Sequence, residues 1–197
     1  MRPLPYVWPY ALIYWVVFVW AFFPEFGIVR RAQKSVKGAD SRDAGSLRVI
    51  LLGMWFAFFA AFPLAGVRAL QFPQSMRYVA FWFGIALLIG GSLLRRHCFR
   101  QLGTSFTGDV QTRADQQIVT TGAYRFVRHP AYAAGIVMYA GVTIGLANWG
   151  STLVILVASI ATYSYRIAVE ERALLAAIGQ PYRQFMATRT RLVPYIY

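Results

Sequence analysis

Five long apolar runs constrain this chain more than any other feature of its sequence. Each run has 17 to 19 residues, close to the ~20 that an α-helix needs to cross ~30 Å of hydrocarbon. With 58% hydrophobic and only 14% charged residues, the chain is also too apolar for a soluble domain. The pattern predicts an all-α, integral, multi-pass membrane protein with about five transmembrane helices, at 7–23, 49–67, 78–94, 131–147 and 151–167.

The basic residues are distributed unevenly between the two sides of such a bundle. Only Arg2, Arg68 and Arg77, of 20 Lys and Arg residues, fall on the side of the N-terminus. The positive-inside rule therefore places the N-terminus outside and the basic segments, with any active site among them, in the cytoplasm. Topology and attraction to anionic lipid account for the net charge of +13. We accordingly expect the lipid bilayer, and no nucleic acid, as a partner.

The single cysteine gives little indication of chemistry. Cys98 has no partner for an internal disulfide, and it lies in a basic segment expected at a cytoplasmic helix end, where thiols stay reduced. The neighbouring His97 has no other ligand at a spacing typical of metal sites. We predict a structural thiol and no metal site.

The character of the chain changes near residue 101. Residues 1–100 are predicted to form scaffold helices, and 101–197 a cofactor-binding catalytic half with a helical hairpin and a C-terminal amphipathic helix. The polar stretch 101–121 is long for a connection in a compact protein, and such loops are usually functional or disordered. The sequence His129-Pro130 predicts that the fourth helix starts near Ala131. Gly141 and Gly145 are expected to let the fourth and fifth helices approach closely.

A charged cluster is expected where the fourth helix begins and the fifth ends. Residues 122–132 read GAYRFVRHPAY, and Arg166, Glu170 and Glu171 follow on the fifth helix. Charged groups near hydrocarbon are costly, so such a cluster is a functional-site hypothesis. Arg166 and Glu170 are one turn apart and share a helix face, whereas Glu171 points about 100° away from Glu170. A helix-end salt bridge between Arg166 and Glu170 is the alternative interpretation.

These residues, with Gly179, Tyr182, Val193 and Pro194, resemble the integral-membrane methyltransferases typified by isoprenylcysteine carboxyl methyltransferase. The resemblance extends over about residues 105–194. It implies a membrane enzyme that uses S-adenosyl-L-methionine to methylate a lipid-like, prenylated or otherwise hydrophobic acceptor. It does not choose between a carboxylate, an amine and a thiol as the methyl acceptor.

The resemblance also implies roles for individual residues. Arg166 is expected to bind the acceptor, and Glu170 to bind the cofactor; both are candidate catalytic residues. An amine acceptor would need a base, for which Glu170 and Glu171 are candidates, whereas a carboxylate would need none. The other cofactor-binding residues implied are Gln111, Gln116, Gln117, Ile118, Val119, Tyr124, His129, Pro130, Ala131, Tyr132 and Glu171.

Two other enzyme classes share part of this pattern. Phospholipid N-methyltransferases have the pair of glutamates, but their Gly-x-Gly element is absent here, since Ala123 and Tyr124 follow Gly122. Membrane sterol reductases, which bind NADPH, have a similar Arg-His-Pro-x-Tyr element that often carries Asn where this chain has Ala131. The spacing of Arg166 and the two glutamates favours a methyltransferase over a reductase and over a catalytically silent membrane scaffold.

Overall fold

A computed structural model describes residues 2–35, 45–103 and 118–193, which form a helical bundle. The described ranges contain no β-strand, only two isolated bridges. A 3-10 helix, Gly122–Arg125, precedes the fourth α-helix. The six α-helices of these ranges are α1 (Tyr10–Ser35), α2 (Ser46–Leu64), α3 (Arg77–Leu102), α4 (Pro130–Gly145), α5 (Trp149–Ile178) and α6 (Gln180–Thr188).

The helices confirm the predicted membrane architecture. Among the described residues, α2, α5 and the segment Gln74–Leu102 around α3 are long and apolar enough to cross a bilayer. Two further apolar helices are shorter, namely Tyr10–Glu25 within α1 and the 16-residue α4, which at 1.5 Å per residue is only about 24 Å long. These five helices correspond to the five predicted runs. The chain is an integral, multi-pass membrane protein with an additional C-terminal helix.

Local sequence explains where the helices of the C-terminal half begin and end. Pro130 is the first residue of α4, as its fixed φ favours. The connection between α4 and α5 comprises residues 146–148, slightly earlier than the sequence predicted. The side chain of Asn148 accepts a hydrogen bond from the Ser151 N–H and so caps the start of α5. Gly179 ends α5 with a φ of 72°, a conformation that favours glycine. The helix α6 then buries Tyr182 against the protein.

The glycines of α4 pack against α3, which corrects the predicted partner. A Cβ at Gly84 would lie 2.4 Å from the backbone nitrogen of Gly145, and one at Gly141 would lie 2.5 Å from that of Leu88. Gly91 likewise lies against Met138 of α4. The expectation that Gly141 and Gly145 serve the contact with α5 was therefore wrong. The spacing of the two glycines predicted that one face of α4 allows a close backbone approach, but it did not indicate which helix packs on that face.

Buried hydroxyl groups connect the N-terminal helices to the C-terminal ones. The Tyr14 hydroxyl donates to the Val142 carbonyl at 2.8 Å and joins α1 to α4. The Ser151 hydroxyl donates to the Ala61 carbonyl at 2.6 Å and joins α5 to α2. A buried hydroxyl without a partner is costly in an apolar environment, so these bonds favour one arrangement of the helices. The division at residue 100 stays a prediction.

The two ends of the bundle are built from different segments. At one end, the N-H of Phe72 donates to the Ala147 carbonyl at 2.9 Å, which joins the α2–α3 connection to the α4–α5 turn. The Arg77 side chain donates to the Arg2 carbonyl at 2.9 Å and joins the N-terminus to the same end. The opposite end holds the start of α4 and the end of α5.

Candidate active site

The C-terminal segment after α6 pairs with the turn that precedes α4. The N-H of Arg128 donates to the Thr190 carbonyl, and the N-H of His129 donates to the Arg191 carbonyl, both at 2.9 Å. An isolated parallel bridge between Val127 and Thr190 continues this pairing. The turn is therefore fixed by backbone bonds to residues more than 60 positions later in the chain, a separation that the numbering itself gives.

Glu171 is the centre of a buried ionic cluster in this region. Its Oε1 accepts a hydrogen bond from Arg128 Nε at 2.9 Å and lies 3.2 Å from His129 Nε2. Its Oε2 accepts from Arg191, with Nη2 at 3.1 Å. A carboxylate only accepts hydrogen bonds, so the His129 Nε2 must carry the hydrogen of this contact. Both carboxylate oxygens of Glu171 are thus bound by side chains of the protein, and the orientation of the His129 ring is fixed.

Glu170 belongs to a second polar group on the neighbouring face of α5. The Tyr132 hydroxyl donates to Glu170 Oε2 at 2.7 Å, and Arg166 Nε donates to the same hydroxyl at 3.3 Å. The Arg166 Nη1 donates to the hydroxyl of Ser46 on α2 at 2.7 Å. Arg166 is only 5% exposed, whereas Glu170 is half-buried. The predicted 100° separation of the two glutamates thus divides them between different partners.

A buried ion pair from α1 and α3 supports the first turn of α4. Arg95 donates to both carboxylate oxygens of Glu25, at 2.6 and 3.0 Å. The Nη1 of Arg95 also donates to the Ala131 carbonyl at 2.6 Å. This planar, two-bond geometry is the arrangement in which an arginine and a carboxylate bind most strongly. Through Arg95, the pair is thus bonded to the backbone of the His-Pro-Ala-Tyr element.

Aromatic rings extend from the bundle core to this end. Phe22 of α1 stacks on Tyr139, with ring centroids 5.6 Å apart, and Tyr139 lies 6.1 Å from Tyr163. Tyr163 lies 5.0 Å from Tyr132, which in turn lies 5.7 Å from His129. Aromatic faces attract cations, and here they surround the position where α4 begins.

Tyr124 lies in the 3-10 turn and packs on α3. It forms a buried cluster with Cys98 and Ala131, to which the half-buried Val119 adds. Burial, and secondarily the Cys98 thiol and the Glu170 carboxylate, raise the pKa of the Tyr124 phenol well above its usual value. Burial, followed by the two glutamates, has the same effect on the pKa of Tyr182. Both hydroxyls therefore remain protonated donors at physiological pH.

The structure brings most of the predicted residues to one end of the bundle. Gln111, Gln116 and Gln117 lie outside the described residues. In the part of the chain that the structure describes, no three His, Cys, Asp or Glu side chains form a group that would hold a metal ion. The predicted site residues placed at this end are Ile118, Val119, Tyr124, His129, Pro130, Ala131, Tyr132, Arg166, Glu170 and Glu171.

Three supporting residues were missed by the sequence analysis. Ser46, Glu25 and Arg95 all lie at the ends of apolar runs, where polar residues are ordinarily interfacial. One signal was present in the sequence: Glu25 is the first acidic residue of the chain and directly follows an apolar run. A carboxylate next to hydrocarbon requires a cationic partner, but the sequence does not say which arginine supplies it.

The part of the chain that forms this end is similar to known proteins. The model of the isoprenylcysteine carboxyl methyltransferase (ICMT) family matches residues 84–176. This segment, just under half of the chain, is similar to the ICMT family. It runs from α3 to the end region of α5 and includes Arg95, Arg166 and both glutamates. The relationship confirms the resemblance found in the sequence and places the chain among the methyltransferases rather than the reductases.

Individual relatives of this family match much of the chain. A protein-S-isoprenylcysteine O-methyltransferase of Schizosaccharomyces pombe is 28% identical over 186 residues, covering 87% of this chain and 78% of its own. A probable enzyme of the same name from Oryza sativa subsp. indica is 29% identical over 135 residues, covering 66% of this chain and 69% of its own.

A solved structure supports the fold. The eukaryotic intramembrane Ras methyltransferase ICMT superposes with a TM-score of 0.62 at 24% identity. The match covers 93% of this chain but only 65% of that ICMT chain.

Proposed function

We propose that this protein uses S-adenosyl-L-methionine to methylate the carboxylate of a prenylated, lipid-like acceptor. The observation that carries the proposal is the contact of Tyr132 with Glu170 beside the buried Arg166. It places an anion and a cation side by side on one helix face at the end of the bundle. The names of the relatives, which specify O-methylation of isoprenylcysteine, support the choice of a carboxylate acceptor.

The residues at this end fit the cofactor chemically. When bound, S-adenosylmethionine supplies a methyl group activated by a positively charged sulfur. The Glu170 carboxylate suits the ammonium group of its amino-acid part. The aromatic faces of His129, Tyr132 and Tyr124 suit a sulfonium cation. By the family resemblance, Gln111, Gln116, Gln117, Ile118, Val119, Pro130 and Ala131 complete the cofactor-binding set.

Arg166 is assigned to the acceptor. Ser46 and Tyr132 fix its guanidinium, so an acceptor carboxylate would meet a preorganised cation. Arg166 would hold the acceptor carboxylate toward the methyl group that bound S-adenosylmethionine would supply. No proton is released, and no general base is required. Alignment of the reacting atoms alone can supply ~7–11 kcal/mol of the barrier reduction.

Glu171 is assigned a supporting part in cofactor binding. It holds His129 and Arg128 against the C-terminal segment, so it fixes one wall of the cofactor site through the His129 ring. Glu170 and Glu171 therefore act at different distances from the cofactor, although they are neighbours in the sequence.

The active site is proposed to face the cytoplasm. The end of the bundle that holds it carries most of the basic residues, in agreement with the positive-inside rule. Single cysteines at the exposed positions Trp149 and Gln184, introduced into a Cys98→Ala background, test this orientation. A membrane-impermeant thiol reagent applied from outside should label position 149 only. Labelling of position 184 from outside would reverse the assignment.

The cofactor assignment is tested by calorimetric titration of the purified protein with S-adenosylmethionine and with NADPH. We expect binding of the first alone, and Glu170→Gln should weaken it by about 1.5–3 kcal/mol, the range for a charge-assisted hydrogen bond. Arg172→Gln is the matched control, because Arg172 is exposed on the same helix and its side chain donates to the nearby Ala168 carbonyl. Equal binding by wild type and Glu170→Gln would contradict the assignment of Glu170.

The acceptor assignment is tested with labelled S-adenosylmethionine and two acceptors, a farnesylated cysteine with a free carboxylate and a phosphatidylethanolamine. We expect a base-labile methyl ester from the first. Methylation of the amine alone would overturn the choice of a carboxylate.

A further inference from the structure

The end of the bundle opposite the candidate active site is positively charged, and no acidic residue is among the described residues that form it. It is formed by residues 2–9, 65–77 and 146–150, which include Arg2, Arg68 and Arg77. The seven acidic residues of the chain all lie in other segments, and those nearest in sequence are Glu25 and Glu170. The described residues of this end therefore carry a net positive charge, which favours anions in its surroundings.

Two of the three arginines line a cavity of about 120 Å³ at this end. The bond from Arg77 to the carbonyl of Arg2 holds the N-terminal segment beside the start of α3, so that both residues border the same space. The amides of Gln71 and Gln74 add further hydrogen-bond donors to the lining, and Phe72 and Leu146 add an apolar part.

The local field of the helix strengthens the case for an anion. Arg77 is the first residue of α3, and the first turn of α3 contains no acidic residue. The N-terminal end of a helix already carries a partial positive charge, so a cation there is in an unfavourable position. An anion in the cavity would interact favourably with the guanidinium groups and with the helix end at once.

The aromatic residues at this end indicate the depth of the cavity. Phe72, which lines it, packs on Trp149 with ring centroids 4.2 Å apart, and Trp149 is exposed. Tryptophans at the ends of membrane helices lie at the level of the lipid headgroups. A cationic cavity at that level is next to lipid phosphates. We propose that this cavity binds the phosphate group of an anionic phospholipid, with Arg2 and Arg77 as its cationic ligands.

The proposal is tested by thermal unfolding of the detergent-purified protein during titration with short-chain phosphatidylglycerol, phosphatidylcholine or inorganic phosphate. We expect saturable stabilisation by phosphatidylglycerol, and much weaker effects of the other two. Arg2→Gln should raise the half-saturating concentration roughly fivefold, the contribution of one arginine at an anionic lipid surface. Because the bond from Arg77 uses the backbone of Arg2, this variant keeps the fold intact.

Arg68→Gln is the matched control, since Arg68 is exposed at the same end but does not line the cavity. It should leave the half-saturating concentration within a factor of roughly two. Equal effects of Arg2→Gln and Arg68→Gln would mean general surface attraction and would overturn the site. Equal protection by inorganic phosphate would overturn the lipid as its ligand. The readout is thermal stability, so the result is independent of methyl transfer.

Discussion

Glu171→Gln should destabilise the protein strongly, and more than the same change at the neighbouring Glu170. The substitution keeps the size of the side chain but removes the charge that Arg128, His129 and Arg191 share. Arg128 would then remain beside a neutral amide with its side chain only 9% exposed. Removing one partner of a buried ion pair leaves an uncompensated charge in a place that water reaches poorly.

The size of the effect can be worked out from these contacts. Breaking a buried pair from one side costs about 3–5 kcal/mol. Arg191, whose side chain is 36% exposed, contributes little to this sum because water screens it. The glutamine carbonyl retains one acceptor, so we expect a loss near the lower limit, about 3 kcal/mol. For a chain of this length, that loss corresponds to a fall in Tm of roughly 6–12 °C.

The assay is thermal unfolding of the purified protein in detergent, together with titration by S-adenosylmethionine at a temperature where the variant is folded. Glu170→Gln is the matched comparison, since it changes the same residue type one position earlier. It should lower Tm by less than half as much while weakening cofactor binding more.

A double-mutant cycle with Arg128→Gln isolates the ion pair. Because the double variant removes both charges together, it should be more stable than the sum of the two single losses implies. Additive losses would mean that the two side chains do not interact. A Tm unchanged by Glu171→Gln would refute the reasoning about the buried cluster altogether.

Three further predictions concern other parts of the structure. Arg166→Ala should lower turnover while leaving cofactor affinity nearly unchanged, and Arg166→Lys should restore part of the turnover. An equal loss of cofactor binding in both variants would mean that Arg166 only supports Glu170. Glu25→Gln should lower Tm by the equivalent of about 3 kcal/mol, because it leaves Arg95 buried without its carboxylate; an unchanged Tm would show that Arg95 is solvated. Gly84→Val should prevent the close packing of α3 on α4 and so lower the Tm measured in thermal unfolding. Gly90→Ala is the control, because no atom lies within 4 Å of the new Cβ, and it should leave the Tm unchanged or raise it.

Much of the fold could be predicted because helices in a bilayer follow from the length of the apolar runs. Every backbone polar group must be satisfied within its own helix, so each run had one available structure. The end of α5 and the start of α6 depend on local residues as well, since Gly179 caps α5 and Pro181 lies in the first turn of α6. None of these inferences required knowledge of which residues are neighbours in space.

Contacts between helices could not be predicted in the same way. The spacing of Gly141 and Gly145 showed that one face of α4 permits close approach, but α3 and α5 were equally acceptable partners from the sequence. The pairing of Arg95 with Glu25 likewise depends on which helices are neighbours, because 70 positions separate the two residues in the sequence. The angular separation of Glu170 and Glu171 succeeded because it depends only on helix geometry.

The polar groups of the candidate site depend on both halves of the chain. Arg166, on α5, is held by Ser46 at the start of α2, and the first turn of α4 is held by Arg95 of α3. Neither the hairpin of α4 and α5 nor the family-matched segment contains Ser46 or Glu25. A cofactor site on a helix end requires fixed side chains, because small displacements of a positioned group are costly for a reaction that depends on alignment. The N-terminal helices therefore fix groups of the candidate site that the C-terminal helices carry.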